Sequence, residues 1–141
     1  YLKGMLRRNW GRILFISSEC AYLVPPDMIS YSTTKASMHA VSRGLALLTK
    51  GTGVTSNVVV PGSTLTKGAK TFLADKAKEY DTSQEAVEKD FFNNDRTSSL
   101  LKRFASTDEV ATTIAYLCSP LSSATNGSVI KVDGGSSGGI L

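Results

Sequence analysis

The sequence has 141 residues, of which 41% are hydrophobic, and it carries a net charge of +4. This length and composition predict one ordinary globular domain with a packed core. The longest apolar runs, such as residues 13–16 and 58–60, fall far short of the ~20 residues that a membrane span requires, so no membrane helix is expected. No secretory signal pattern is visible either, and we expect a cytoplasmic protein.

Nucleic-acid binding and metal binding are both disfavoured by the residue pattern. Four basic residues fall within the first twelve positions: Lys3, Arg7, Arg8 and Arg12. They lack the interleaved aromatics of a nucleic-acid surface, and basic residues near a helix end complement the helix dipole, so no nucleic-acid partner is expected. Cys20 and Cys118 match no metal or redox spacing, which predicts two reduced, mostly buried thiols and no metal site. We expect a packing or surface role for His39, the one histidine.

Three short, β-branched runs predict buried strands at residues 12–17, 55–60 and 128–132. A helix is predicted between the first two strands, at residues 30–50, with Gly51 as its stop. Its apolar residues at helical spacing are Met38, Val41, Leu45 and Leu48. Strands that alternate with helices indicate an α/β fold, in which a parallel sheet is covered by helices on both faces.

A second helix is predicted after Ser106, which forms a capping box with Glu109. Its apolar face consists of Val110, Ile114 and Leu117. The roughly forty residues before this helix are too many for a structureless loop in a compact domain. Another capping box, Thr82 with Glu85, and an apolar pair one turn apart, Val87 with Phe91, predict a helical lid there.

The segment that best indicates chemistry begins at Ser18, directly after the first strand. Thirteen residues later come Tyr31 and Lys35, at the start of the predicted helix. Residues four apart share a helix face, so the phenol and the ammonium can point into one cleft at the strand ends. A free phenol, with a pKa near 10, is a poor proton shuttle at neutral pH, but a nearby cation favours the phenolate. Ser18 lies at the same edge and can hydrogen-bond a substrate oxygen.

With these residues in place, the sequence resembles the short-chain dehydrogenase/reductase family over almost its whole length. Residues 11–18 resemble the strand that bears the family's catalytic serine, and Tyr31 and Lys35 match its tyrosine and lysine at the family spacing. Residues 61–66 are similar to the loop that contacts the nicotinamide. Residues 103–111 and 126–135 resemble the last helix and the last strand.

The resemblance implies reversible hydride transfer between NAD or NADP and an alcohol or carbonyl substrate. Tyr31 would be the acid/base, Lys35 would also bind the nicotinamide ribose, and Ser18 would orient the substrate oxygen. The implied nicotinamide loop contains Pro61, Gly62, Ser63, Thr64 and Thr66. The resemblance also implies a homo-oligomer, a dimer or tetramer that pairs through the helix of Tyr31 and Lys35 and through the helix that follows it.

The same resemblance implies the C-terminal, catalytic portion of one Rossmann-like domain over residues 1–141, with the last three strands of a doubly wound parallel sheet and their flanking helices. The chain begins with Tyr1, and the family's glycine-rich cofactor fingerprint is absent from the sequence. We therefore expect a piece without the N-terminal cofactor-binding portion. Its first strand would have an open edge, so that it would fold poorly and bind cofactor weakly on its own.

Other interpretations stay open at this point. One is a truncated, non-catalytic member or pseudoenzyme that acts only through subunit association. Another keeps the fold but performs epimerisation or dehydration, although the ending at residues 132–135 favours the simple dehydrogenase/reductase branch. Family members commonly have smaller residues after the catalytic serine, so Glu19 and Tyr22 are either pocket residues or solvated loop residues.

Overall fold

A computed structural model describes residues 1–139. In this part of the chain the strands are β1 (Gly11–Ile16), β2 (Val54–Pro61) and β3 (Val129–Val132). The helices are α1 (Leu2–Arg7), α2 (Cys20–Leu23), α3 (Ile29–Leu48), α4 (Lys67–Glu79), α5 (Gln84–Asn94) and α6 (Thr107–Cys118). Single 3-10 turns lie at Pro26–Met28 and Pro120–Ser122.

The three strands form one parallel sheet in the order β1-β2-β3. Ile16 pairs with Val59, and Val58 pairs with Val129, so β2 is the middle strand. All three predicted strands are present, each within about two residues of its predicted bounds. The parallel α/β fold predicted from the sequence is therefore confirmed.

Helices cover the middle strand from both sides. Residues 54–60 are each at most 4% exposed. Ser42 of α3 hydrogen-bonds Ser56 at 3.0 Å between their hydroxyl oxygens, whereas Pro61 lines a cleft with Val110 of α6. Ser56 and Pro61 are five residues apart and so point to opposite faces of the sheet. Helix α3 thus covers one face and α6 the other, which is the doubly wound arrangement.

Helix α3 is present as predicted, but the residues that it buries are not all those whose apolar spacing predicted the helix. Val41 is 51% exposed and Leu48 is 67% exposed. The residues of α3 that are buried are small: Ser32, Ser42 and Ala46. Small side chains let the helix approach the sheet closely, which larger apolar residues at those positions would prevent. The helix ends at Leu48, and Gly51 follows in a left-handed conformation, φ 77°.

Helices α4 and α5 fill the long segment between β2 and α6, as predicted. They pack around a cluster of their own: Leu73, Ala77, Val87, Phe92 and Phe104. The predicted capping box of Thr82 is wrong, because the Thr82 N–H still bonds the Ala77 carbonyl in the turn that closes α4. Ser83 caps α5 instead, and its hydroxyl accepts from the Ala86 N–H.

Helix α6 begins with the predicted capping box of Ser106 and Glu109, and Val110 and Leu117 are buried. The helix ends at Cys118. Both cysteines are free thiols, but the prediction that they are mostly buried is wrong for Cys118, which is exposed. Leu117 faces the core, and the next residue of a helix turns away from that face. Among residues 1–139, no helix is long and apolar enough to cross a membrane.

One prediction concerns Glu109, which accepts hydrogen bonds from the Arg103 guanidinium and the Ser106 N–H. These bonds lower the pKa of Glu109 from 4.5 to about 2. A carboxylate whose pKa is lower in the folded than in the unfolded chain stabilises the fold when it is ionised. The stabilisation by Glu109 is therefore complete above about pH 4.5, the pKa of the unfolded chain, and is lost as the pH falls towards 2. We expect Glu109→Gln to flatten the acid side of the unfolding free energy plotted against pH. Denaturant titrations at several pH values check this, and profiles of equal slope would contradict it.

Candidate active site

The segments that leave the three strands are held together at the carboxyl edge of the sheet. The Glu19 N–H donates to the Pro61 carbonyl at 2.9 Å, which ties the segment after β1 to the end of β2. The Gly62 N–H donates to the Val132 carbonyl at 3.1 Å, which ties the segment after β2 to the end of β3. In open parallel sheets this edge is where ligands bind.

Gly62 is required at this edge because the chain passes very close to the end of β3. A Cβ atom at Gly62 would lie 2.6 Å from the Cα of Asp133 and 2.7 Å from its carbonyl oxygen. Both contacts are with backbone and cannot relax cheaply. The Pro61-Gly62 dipeptide thus allows the close approach of two strand ends as well as a turn.

Tyr31 and Lys35 lie together in the first turns of α3, beside the end of β1. The Lys35 Nζ donates to the Ile16 carbonyl at 2.9 Å. The same Nζ lies 5.5 Å from the centroid of the Tyr31 ring, within the range of a cation–π contact. Tyr31 is 43% exposed, so its phenol is accessible from outside. The cation is fixed to the sheet, and the phenol stands next to it.

Ser18 follows the strand that holds this lysine by only two residues. Its Oγ accepts a hydrogen bond from the Cys20 N–H at 3.2 Å, which anchors the start of α2. A serine hydroxyl that accepts one bond can still donate its hydrogen. Ser18 is therefore oriented by the first residue of α2 and retains a donor for a further partner.

Two polar residues that hydrogen-bond next to this pair, Ser17 and His39, were given no catalytic role from the sequence. Ser17 is 4% exposed, and its hydroxyl donates to the Lys35 carbonyl at 2.9 Å. The His39 Nε2 lies 2.9 Å from the same hydroxyl oxygen. Because the Ser17 hydroxyl gives its one hydrogen to the Lys35 carbonyl, the His39 Nε2–H is the donor to Ser17. Burial lowers the pKa of His39. His39 stands four residues after Lys35, and this helical spacing was the available signal.

Glu19 and Tyr22, the two residues with open roles, differ in environment. Glu19 is 4% exposed and is therefore no solvated loop residue, whereas Tyr22 is 40% exposed. The Tyr22 ring centroid lies 5.5 Å from that of His39 and 4.5 Å from the Lys131 Nζ. Burial, and secondarily the Asp133 carboxylate, raise the pKa of Tyr22. Tyr22 is held as a neutral phenol beside the candidate site.

The segment after β2 is held by backbone hydrogen bonds to Ala105, two residues before α6. The Ala105 N–H donates to the Ser63 carbonyl at 2.9 Å, and the Leu65 N–H donates to the Ala105 carbonyl at 2.8 Å. The Thr64 hydroxyl donates to the Gly62 carbonyl. The Thr66 hydroxyl oxygen caps α4 by accepting from the Ala69 N–H at 3.3 Å. These contacts preorganise the loop that the sequence predicts to hold a nicotinamide.

A cleft of about 260 Å³ opens between this loop and α6. Its walls are mostly apolar and come from three threonines, Pro61 and the exposed side of the apolar face of α6. The lining residues are Pro61, Thr64, Thr66, Thr107, Val110, Ala111 and Ile114. Such a surface fits a flat, weakly polar ring that makes a few hydrogen bonds at its rim. Within residues 1–139, no group of three or more acidic, His or Cys side chains is arranged to hold a metal ion.

Known proteins are similar to this chain in both sequence and fold. A family model described as enoyl-(acyl carrier protein) reductase matches residues 1–137. The protein named uncharacterized oxidoreductase YvrD of Bacillus subtilis (strain 168) is 42% identical over 96% of this chain and 51% of its own length. The 3-oxoacyl-[acyl-carrier-protein] reductase FabG of Aquifex aeolicus (strain VF5) is 32% identical over 95% of this chain and 48% of its own.

Among solved structures, the L-sorbose reductase of Gluconobacter frateurii, crystallised with NADPH and L-sorbose, superimposes with a TM-score of 0.82. It is 28% identical, and the match covers 96% of this chain and 50% of that one. The chain thus spans about half the length of the relatives it matches. Both the sequence and the fold of the matched half agree with these enzymes, and the chain belongs to the short-chain dehydrogenase/reductase family of oxidoreductases.

Proposed function

We propose that this chain is the catalytic portion of an NAD- or NADP-dependent oxidoreductase that interconverts an alcohol and a carbonyl compound. The observation that carries the proposal is the position of the Lys35 ammonium. It is bonded to the Ile16 carbonyl at the end of β1 and lies 5.5 Å from the Tyr31 ring centroid. An accessible phenol beside a fixed cation is suited to exchange a proton with a substrate oxygen bound at the same edge.

In alcohol oxidation, the Tyr31 oxygen takes the hydroxyl proton as the carbon–oxygen double bond forms. Ser18 donates a hydrogen bond to the substrate oxygen and holds it within reach of the phenol. A nicotinamide bound at this edge would supply the hydride-transfer chemistry at the carbinol carbon. In carbonyl reduction Tyr31 returns the proton to the same oxygen. Ser17 and His39 support the transfer by fixing the backbone of α3 at Lys35.

The residues that would hold the nicotinamide end of the cofactor lie on two elements of the same sheet edge. One bond of the Lys35 Nζ goes to the Ile16 carbonyl, and an ammonium has two more N–H donors for the ribose hydroxyls. The loop of Pro61, Gly62, Ser63, Thr64 and Thr66 would supply backbone groups and hydroxyls to the carboxamide. Its apolar cleft fits the ring.

The first prediction concerns Tyr31, tested in protein expressed from its complete gene. With NADH or NADPH and a panel of small ketones and keto sugars, we expect Tyr31→Phe to lower kcat by roughly 10²–10⁴-fold, because phenylalanine cannot transfer the proton. Cofactor binding, measured by nucleotide fluorescence, should change little. Tyr116→Phe is the matched control, since Tyr116 is similarly exposed at 48% but lies on α6. Equal activity of Tyr31→Phe and wild type would overturn the assignment of Tyr31.

A second candidate function is subunit association without catalysis, and one observation favours it. The C-terminal half of helix α3 presents three large apolar side chains to solvent, with Val41 51%, Leu47 62% and Leu48 67% exposed. Exposed apolar residues grouped on one helix are typical of a surface that pairs with another protein surface. We propose that α3 contacts a second copy of this chain, in an active enzyme or in a non-catalytic member of the family.

The corresponding prediction concerns the oligomeric state. We expect Val41→Asp combined with Leu48→Asp to shift the protein to a smaller species in size-exclusion chromatography with light scattering, because a charge buried in an apolar contact is unfavourable. Lys50→Asp, a charge change just beyond the end of α3, is the control and should leave the mass unchanged. An unaltered mass for the double variant would exclude α3 as the contact. Association without turnover would favour the non-catalytic alternative.

A further inference from the structure

We propose that Glu19 is a positioning residue and that its carboxylate, with the guanidinium of Arg96, forms a latch between the catalytic edge of the sheet and the helices that cover it. This inference rests on the proposed function, since it assigns a role to the residue that directly follows Ser18. The helices concerned, α4 and α5 together with the chain up to Arg96, are called here the cover segment, residues 67–96.

Glu19 lies where the segments after β1 and β2 meet. Its N–H bonds the Pro61 carbonyl at 2.9 Å, and its Oε1 accepts from the Ser63 hydroxyl at 3.1 Å. The side chain of Glu19 is only 5% exposed. A carboxylate buried to this extent is unfavourable unless it is paired with a cation or fully hydrogen-bonded. The cation that the chain supplies is Arg96, whose Nε lies 3.5 Å from the Glu19 Oε1.

Arg96 belongs to the cover segment and is anchored to its aromatic cluster. The Arg96 N–H donates to the Phe91 carbonyl at 2.9 Å, and its guanidinium lies 5.6 Å from the Phe91 ring centroid. Phe91 in turn stacks on Phe104 with a centroid separation of 5.2 Å. The position of the Arg96 guanidinium is therefore coupled to the packed core of α4 and α5.

The cover segment has few other attachments to the sheet. Its buried cluster consists of residues of α4, of α5 and of Phe104, and contains no strand residue. The chain on either side of it is tied to the sheet edge by the bridge between Thr64 and Ala105 and by the N–H groups of residues 100 and 101, which donate to the Gly134 carbonyl at 2.9 and 3.0 Å. Within the segment, the Glu88 carboxylate accepts from the Phe104 N–H at 2.8 Å. Between residues 1 and 139, the Glu19–Arg96 pair is the ion pair that joins this segment to the strand-end loops.

The geometry of the pair is that of a latch that is not fully closed. A charge-assisted N–H···O bond is usually about 2.7–2.9 Å long, and the 3.5 Å contact is longer. Both the Glu19 Oε2 and the Arg96 Nε are buried and make no hydrogen bond to the described residues. The Arg96 Nε lies next to the Glu19 Oε1, so a small inward shift of Arg96 would bring its unused N–H within hydrogen-bonding distance of the carboxylate. That shift would bring the cover segment closer to Ser18 and Ser63.

Closure would affect how tightly the substrate is retained rather than the proton transfer itself. Glu19 takes no part in the proposed proton transfer. It lies next to Ser18 in the chain and accepts a hydrogen bond from Ser63 of the proposed nicotinamide loop. Closing segments hold substrate and cofactor in register and exclude water. Loss of the latch should therefore raise KM for the carbonyl substrate more than it lowers kcat.

The test uses protein expressed from its complete gene and the variants Glu19→Gln, Arg96→Gln and their combination. Glu19→Gln keeps the acceptor for Ser63 and removes only the charge, so we expect KM to rise about tenfold with kcat within about threefold of wild type. Arg96→Gln leaves a buried carboxylate without its cation, so we expect it to raise KM further than Glu19→Gln does. The double variant should return to the level of Glu19→Gln, because neither charge is then unpaired.

A second readout does not require turnover. The cover segment contains five lysines at which trypsin cleaves: Lys67, Lys70, Lys76, Lys78 and Lys89. Local opening exposes such sites, so Glu19→Gln and Arg96→Gln should be cleaved there several times faster than wild type. The control is Glu109→Gln, which removes an exposed ion pair on α6 and should change neither the cleavage rate nor KM.

The outcomes separate the two proposals. If wild type turns over a substrate but Glu19→Gln and Arg96→Gln lower only the thermal midpoint, with KM and cleavage rate as in wild type, the pair is a static contact and the latch is wrong. If wild type shows no turnover with either nicotinamide, the proposed function fails, and the cleavage rates still decide the latch. An additive loss in the double variant would also overturn it, since the two side chains would then act independently.

Discussion

The structure depends on the pairing of β2 with a parallel neighbour on each side. Because β2 is buried along residues 54–60, its backbone bonds to β1 and β3 fix the register of all three strands. Parallel strands bring their carboxyl ends to one edge. The candidate residues of the site, from Ser18 to Thr66, lie at or after the carboxyl ends of β1 and β2. The close approach of Gly62 to Asp133 and the bond between Glu19 and Pro61 continue the pairing beyond the strands.

Helix α3 brings the candidate proton-transfer pair, Tyr31 and Lys35, to this edge of the sheet. The helix packs on the sheet through small residues, such as Ser42 against Ser56, and so brings Lys35 within hydrogen-bonding distance of the end of β1. Ser17 donates to the Lys35 carbonyl and is itself hydrogen-bonded to His39, which holds the same turn of α3 in place. The ammonium is held by the sheet and the phenol by the helix. Their separation is therefore set by the packing of α3 on the sheet, and substitutions beneath that helix should affect the site indirectly.

The helices α4 and α5 follow different physical rules from the sheet. Their core is a cluster of phenylalanines, and their connection to the sheet is largely polar. Polar and charged contacts at a partly exposed boundary contribute less stability than a packed apolar core does. A segment built in this way can open without disrupting the sheet. This property makes a single buried ion pair, Glu19 with Arg96, important to its position.

The sequence by itself determined the α/β class, the three strands and the long helices, because each depends on local periodicity and on capping or stop residues such as Ser106 and Gly51. The candidate site was predicted from the family resemblance together with the spacing of Ser18, Tyr31 and Lys35. The four-residue step from Tyr31 to Lys35 places both on one helix face, which is a local property. The tertiary structure decided what depends on packing. It placed Val41, Leu48 and Cys118 at the surface, assigned the cap of α5 to Ser83, and paired His39 with Ser17. Contacts such as that of Glu19 with Arg96 join residues distant in sequence, and their partners become known only when the chain has folded.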